Sequence, residues 1–65
     1  MMDFGNALNA LRAGHAVTRC GWPTGMHLKF DGVTIVKHPG PGKAVEDWVN
    51  IDPDDLLATD WEIVD

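Results

Sequence analysis

The hydrophobic positions change period along the chain. From Phe4 they fall at i, i+3, i+4 and i+7 (Phe4, Ala7, Leu8, Leu11), the stripe of one buried helix face. Asp3 stands at the N-cap position and Gly14 where a left-handed glycine ends a helix, so the spacing predicts a helix over residues 3–13. Beyond it the period drops to two. Residues 16–20 read as a short strand with Val17 and Arg19 on one face. Gly21-Trp22-Pro23-Thr24-Gly25 is a loop. Residues 26–31 alternate, with Met26, Leu28 and Phe30 on one side and His27, Lys29 and Asp31 on the other. Asp31-Gly32 predicts a type I′ hairpin turn, and residues 33–37 the returning strand. The run His38-Pro39-Gly40-Pro41-Gly42 excludes regular structure. Residues 44–49 read as another strand, ending at Trp48-Val49. Asp52-Pro53 supplies an N-cap and a proline at the first position of a short helical turn over roughly 53–58, with Asp54 and Asp55 at the positive end of its dipole. Residues 61–64 alternate again and close the chain as a strand. The expected fold is α+β: an N-terminal helix packed on a small antiparallel sheet of about five strands, with a short helical turn before the last strand. One domain covers residues 1–65, without internal repeat or linker.

Size sharpens this picture. A chain of 65 residues buries only roughly 60% of its unfolded surface, and folds so small usually need a staple. The single cysteine, Cys20, excludes an intramolecular disulfide. Cys20 and the three histidines (His15, His27, His38) lack the spacing of a zinc site. Self-association is then the expected staple. Hydrophobic content of 45% against 23% charged residues fits a globular domain rather than a disordered chain. No apolar run approaches the length of a membrane span, and Asp3 replaces the basic start of a signal peptide. The expected compartment is the reducing cytoplasm.

Charge is unevenly spread. The net charge is −5, but all five basic residues precede position 44, and residues 46–65 hold eight of the ten acids. A long polyanion such as DNA or RNA needs a basic stripe, which this balance disfavours. A small anion needs only one or two bases and some backbone amides.

Catalytic patterns are absent: there is no GxSxG, HExxH, GxGxxG or phosphate-loop lysine motif. Nothing in the sequence places a base beside Cys20, although His27 and His15 are the candidates, so an idle thiol is the simpler reading. The Asp52, Asp54 and Asp55 cluster lacks the glycine and ligand spacing of a calcium loop, and a helix N-terminus explains it. No metal, cofactor or catalytic residue is expected. The three tryptophans say more. Trp61 is expected to anchor the core. Trp22, in its Gly/Pro loop, is expected at a surface or interface, the alternative being packing over an open sheet edge. Arg19 precedes it by three residues, and an indole face beside a guanidinium suits a base and a phosphate. The alternative for Arg19 is an ion pair with an acid such as Asp60 that holds the sheet. Phe4, a large ring at a helix start, is placed to reach an interface.

These residues resemble a known family. Phe4-Gly5-x-Ala7-Leu8-x-Ala10-Leu11-x-x-Gly14, then Val17-x-Arg19-x-Gly21-Trp22 and Gly25-Met26, look like the opening of the Thoeris anti-defence protein 2 family. Asp55-Leu56-Leu57-Ala58-x-Asp60-Trp61-x-Ile63-Val64 looks like its closing signature, and Trp48-Val49 matches its middle tryptophan. The resemblance runs over nearly the whole chain. It implies a small phage or prophage protein that acts as a sponge in the host cytoplasm. Such a protein binds and sequesters a cyclic ADP-ribose-type immune signal without degrading it, and some members also hold cyclic oligonucleotides. It further implies a homotetramer with ligand pockets at subunit interfaces. The ligand-binding set expected on these grounds is Phe4, Arg19, Trp22, Pro23, Met26, Trp48 and Asp60. Three departures bear on ligand specificity. The segment from Trp22 to Met26 is one residue shorter than in the family, that from Trp48 to Leu56 one residue longer, and the 38–42 loop replaces a longer family segment. The alternative function is a small acidic protein-interaction adaptor without nucleotide binding, for which the acidic C-terminal third speaks.

Overall fold

The computed structural model describes residues 2–48 and 52–64. Helix α1 spans Phe4–Arg12. Extended Asp3 caps it, its carboxylate accepting the Asn6 N–H at 2.9 Å and so satisfying one of the orphan donors of the first turn. At the other end the Gly14 N–H donates to Leu11 O and the His15 N–H to Ala10 O, both at 3.0 Å. This pair of reversed bonds requires the positive φ of Gly14, +98°.

The sheet contains β1 (Val17–Arg19), β2 (His27–Phe30), β3 (Ile35–His38), β4 (Glu46–Asp47) and β5 (Trp61–Ile63). All neighbours are antiparallel in the order β4-β3-β2-β1-β5. Val17 lies opposite both Leu28 and Ile63, Arg19 opposite Trp61, and His27 opposite His38. Opposed residues share a face. Val17, Leu28 and Trp61 therefore look toward α1, while Thr18, Glu62, His27 and His38 occupy the outer face. Met2 extends the sheet past β5 by two backbone hydrogen bonds of 3.1 Å with Trp61. Helix α2 (Pro53–Leu57) precedes β5.

The core joins Ala7, Ala10 and Leu11 of α1 to Val17, Leu28, Trp48 and Trp61. Trp61 is the anchor the sequence predicts: it is fully buried, and its indole N–H donates to Asp55 O at 3.0 Å. Phe4 and Trp48 pack on it with ring centroids at 5.5 and 6.3 Å.

Two local expectations need correction. The hairpin between β2 and β3 is not a type I′ turn on Asp31-Gly32. Phe30 pairs with Ile35, leaving residues 31–34 as the link, and Gly32 alone in that link takes a positive φ. Asp31 instead accepts the Val33 and Thr34 N–H groups at 2.8 Å through its carboxylate, so the side chain replaces a backbone acceptor. The Thr34 bond, then that of Val33, holds this carboxyl below its ordinary pKa. The strand expected over 44–49 reduces to Glu46–Asp47, and Val49 lies outside the described residues. Asp52 stands at the N-cap of α2 as expected; its side chain makes no capping bond, and its carbonyl accepts the Asp55 N–H at 3.0 Å.

Candidate functional site

After Arg19 the chain leaves β1 and curls back to β2 through residues 20–26. Two tight turns shape this loop: the Trp22 N–H donates to Arg19 O, and the Met26 N–H to Pro23 O, both at 3.1 Å. The Thr18 hydroxyl donates to Met26 O at 2.7 Å and ties the loop to the sheet. Gly25 has φ +89°, and a Cβ there would come within 3.1 Å of Pro41 Cδ. The 20–26 loop thus rests closely on the Pro/Gly loop after β3, and a side chain at Gly25 would both strain its backbone and press on Pro41.

Where the loop overhangs the outer face of the sheet, it encloses an open cavity of about 350 Å³. Trp22, Pro23 and Met26 line it from the loop, Thr18 and Arg19 from β1, and His27 and Glu62 from the neighbouring strands. This volume falls at the lower end of the range of small-molecule sites.

Trp22 is half-buried, and its ring meets the Trp61 ring edge-on at 5.2 Å and 76°. The expected surface position is therefore only half right: one ring both covers the core and lines the cavity. Arg19 follows its alternative reading. Its Nε donates to Asp60 Oδ1 at 2.9 Å and its Nη1 to Asp55 Oδ1 at 2.8 Å. Hydrogen bonding to Asp60 first, then to Asp55, raises the Arg19 pKa above its ordinary value. The same bond from Arg19 lowers the Asp60 carboxyl below its own. This network joins β1, α2 and the start of β5, and it surrounds one guanidinium with two carboxylates. Asp55 escaped the sequence reading as a partner because its position explained it as a helix N-terminal acid; only the packing of α2 beside β1 brings it to Arg19.

Four of the seven candidate residues, Arg19, Trp22, Pro23 and Met26, surround the first cavity. Phe4 and Trp48 lie beneath it in the aromatic cluster, 5.7 Å apart. Asp60 lines a second, more apolar hollow of about 290 Å³ with Met2, Trp61 and Ile63. His27 and Glu62 are cavity residues the sequence reading missed. Alternation placed His27 opposite Leu28 correctly, but nothing in sequence told that the loop would fold over that face.

Cys20 is a free, exposed thiol at the rim of both hollows. Among the described residues no group of three His, Cys, Asp or Glu side chains is placed to hold a metal ion. No helix among them is long and apolar enough to cross a membrane. Compared with protein-family models, residues 2–64 match the one described as the Thoeris anti-defense 2-like domain. Comparison with curated proteins gives no match.

Proposed function

Because the chain belongs to the Thoeris anti-defense 2-like family, we propose that it is a non-catalytic sponge that binds a cyclic ADP-ribose-type nucleotide and keeps it from its effector in the bacterial cytoplasm. The observation that carries this reading is the cavity under the 20–26 loop, where an indole, a proline and a thioether form an apolar wall beside polar groups of the sheet. A base stacks on the Trp22 side, and the remaining donors of Arg19 point the sugar-phosphate. Phe4 and Trp48 back the aromatic wall from within the core, and Asp60 fixes the guanidinium.

Sequestration needs no reacting group. It needs sites in amounts matching the signal and a low Kd; nanomolar binding corresponds to about −12 kcal/mol. A homotetramer fits the same proposal. The core is thin for an unstapled chain, and large apolar side chains remain outside it, with Val33 90% and Leu57 80% exposed.

The test mixes purified protein with cyclic ADP-ribose isomers, follows the free nucleotide, then denatures the protein by heat. Free signal should fall in proportion to protein and return chemically intact. A changed product would mean an enzyme and end the sponge reading. A protein partner in host lysate, with no thermal shift from any cyclic nucleotide, would decide for the adaptor.

A further inference from the structure

Much of the first cavity's wall is loop rather than sheet: Trp22, Pro23, Thr24, Gly25 and Met26 all come from the link between β1 and β2. A link with glycines at 21 and 25 is costly to order on binding unless the fold orders it beforehand. Its Trp22 end is held by the edge-on contact with Trp61. Its far end is held from two sides. From β1, the Thr18 hydroxyl donates to Met26 O at 2.7 Å. From the loop after β3, Pro41 and Gly40 back onto Gly25: a Cβ there would lie 3.1 Å from Pro41 Cδ and 3.7 Å from Gly40 Cα. His27 stands at the joint of the two loops. Its Nδ1 lies 2.9 Å from Gly25 O, and its ring stacks on His38, the first residue of the Pro/Gly run, at 4.5 Å and within 7° of parallel.

The supporting loop is itself stiff. Pro39 and Pro41 have their φ angles fixed by their rings, and the Lys43 N–H closes a turn on Gly40 O at 3.2 Å. Pro41 does not line the cavity. Its place against Gly25 is therefore a contact between loops and not a contact with anything the cavity holds.

We propose that Thr18 and Pro41 are positioning residues for nucleotide binding: they clamp the Pro23–Met26 end of the loop over the sheet before any ligand arrives, so that the wall stands preformed. The inference rests on the cavity being the nucleotide site. A loop that opens lowers the apparent affinity by the fraction of molecules in which it is closed. A preformed wall avoids that loss, as a sponge with a low Kd requires.

Two measurements test this, both made well below each variant's melting temperature. Amide hydrogen exchange at Met26, read by NMR in the ligand-free protein, reports opening of the clamp, because the closed turn bonds that N–H to Pro23 O. Calorimetric titration with cyclic ADP-ribose isomers reports affinity. One lost hydrogen bond shifts an equilibrium by about 2- to 12-fold. Thr18→Val keeps the side-chain shape on its strand and should speed Met26 exchange by about that factor, with Kd rising in step. Thr18→Ser keeps the hydroxyl and should restore both. Pro41→Ala, at an exposed position that leaves the core untouched, should move both by about 2- to 5-fold. It decides the point even if Thr18→Val folds poorly. Wild-type exchange at Met26 in both Thr18→Val and Pro41→Ala would overturn the clamp. A weaker Kd confined to Thr18→Val, with exchange unchanged, would make Thr18 a ligand contact and overturn its positioning role. Faster exchange at wild-type affinity in both variants would show that the wall need not be preformed, overturning the inference and leaving sequestration standing. Absence of binding by every isomer to the wild-type protein would instead overturn the functional reading, and the role in binding with it.

Discussion

Trp22→Ala separates two roles of one ring. Truncating a fully buried tryptophan costs about 3–5 kcal/mol. Trp22 is half-buried against Trp61, so about half of that, roughly 2 kcal/mol, should be lost from stability. A chain of this size has a total stability of only about 3–10 kcal/mol. At about 4–8 °C per kcal/mol for a small domain, the melting temperature should fall by about 8–16 °C. The edge-on contact at 5.2 Å is what makes the loss substantial for a ring carried on a glycine- and proline-rich loop. If the ring also stacks on a base, the variant should lose a further 1–3 kcal/mol of binding, about 5- to 150-fold in Kd. Thermal unfolding by circular dichroism gives the first quantity. Calorimetric titration with a cyclic ADP-ribose isomer, at a temperature where the variant is folded, gives the second. Trp22→Phe should recover most of the melting loss, since a smaller ring still reaches Trp61. An unchanged melting temperature in Trp22→Ala would refute the packing argument. Wild-type affinity in a folded but destabilised variant would remove Trp22 from the ligand wall.

Three further outcomes follow from the structure. The Asp60 carboxyl, lowered from its ordinary 3.8 by the Arg19 bond, stabilises the fold fully above about pH 4 and loses that contribution as the pH falls through its lowered value, while Arg19, raised above its ordinary value, stays charged throughout. Asp60→Asn should therefore lower the melting temperature at pH 7, with the gap to wild type narrowing as acid protonates Asp60; a gap of equal size from pH 7 down to the most acidic pH at which both proteins fold would contradict this. Asp3→Ala, which deletes the acceptor for the Asn6 N–H, should cost about 1 kcal/mol, and Asp3→Ser should restore most of it in the same thermal assay. Sedimentation at micromolar concentration should give a particle of about four times the 7.1 kDa chain mass; a monomer would sink the tetramer proposal.

Local signals in the sequence carried α1 almost to the residue. Its stripe, its Asp3 cap and its Gly14 stop act within a few positions of one another, so a short window contains the whole cause. The same holds for the positions of β1, β2, β3 and β5 along the chain and for proline at the start of α2. The hairpin turn was misjudged at the same short range, because Asp31 serves as a hydrogen-bond acceptor for Val33 and Thr34 rather than as a positive-φ turn residue. Trp22 and Arg19 were marked as chemically suggestive, but their surroundings were not readable. Arg19 meets Asp55 and Asp60 from 36 and 41 residues away, and Trp22 meets Trp61 only once β5 has added to β1. The cavity arises where a loop overhangs a sheet face, and the His27–His38 stack arises from a ladder register. Local periodicity follows from the backbone geometry of one segment and is written in that segment. Charge neutralisation, a cavity wall and a stacked pair depend on segments meeting across the fold, and only tertiary packing decides which of them meet.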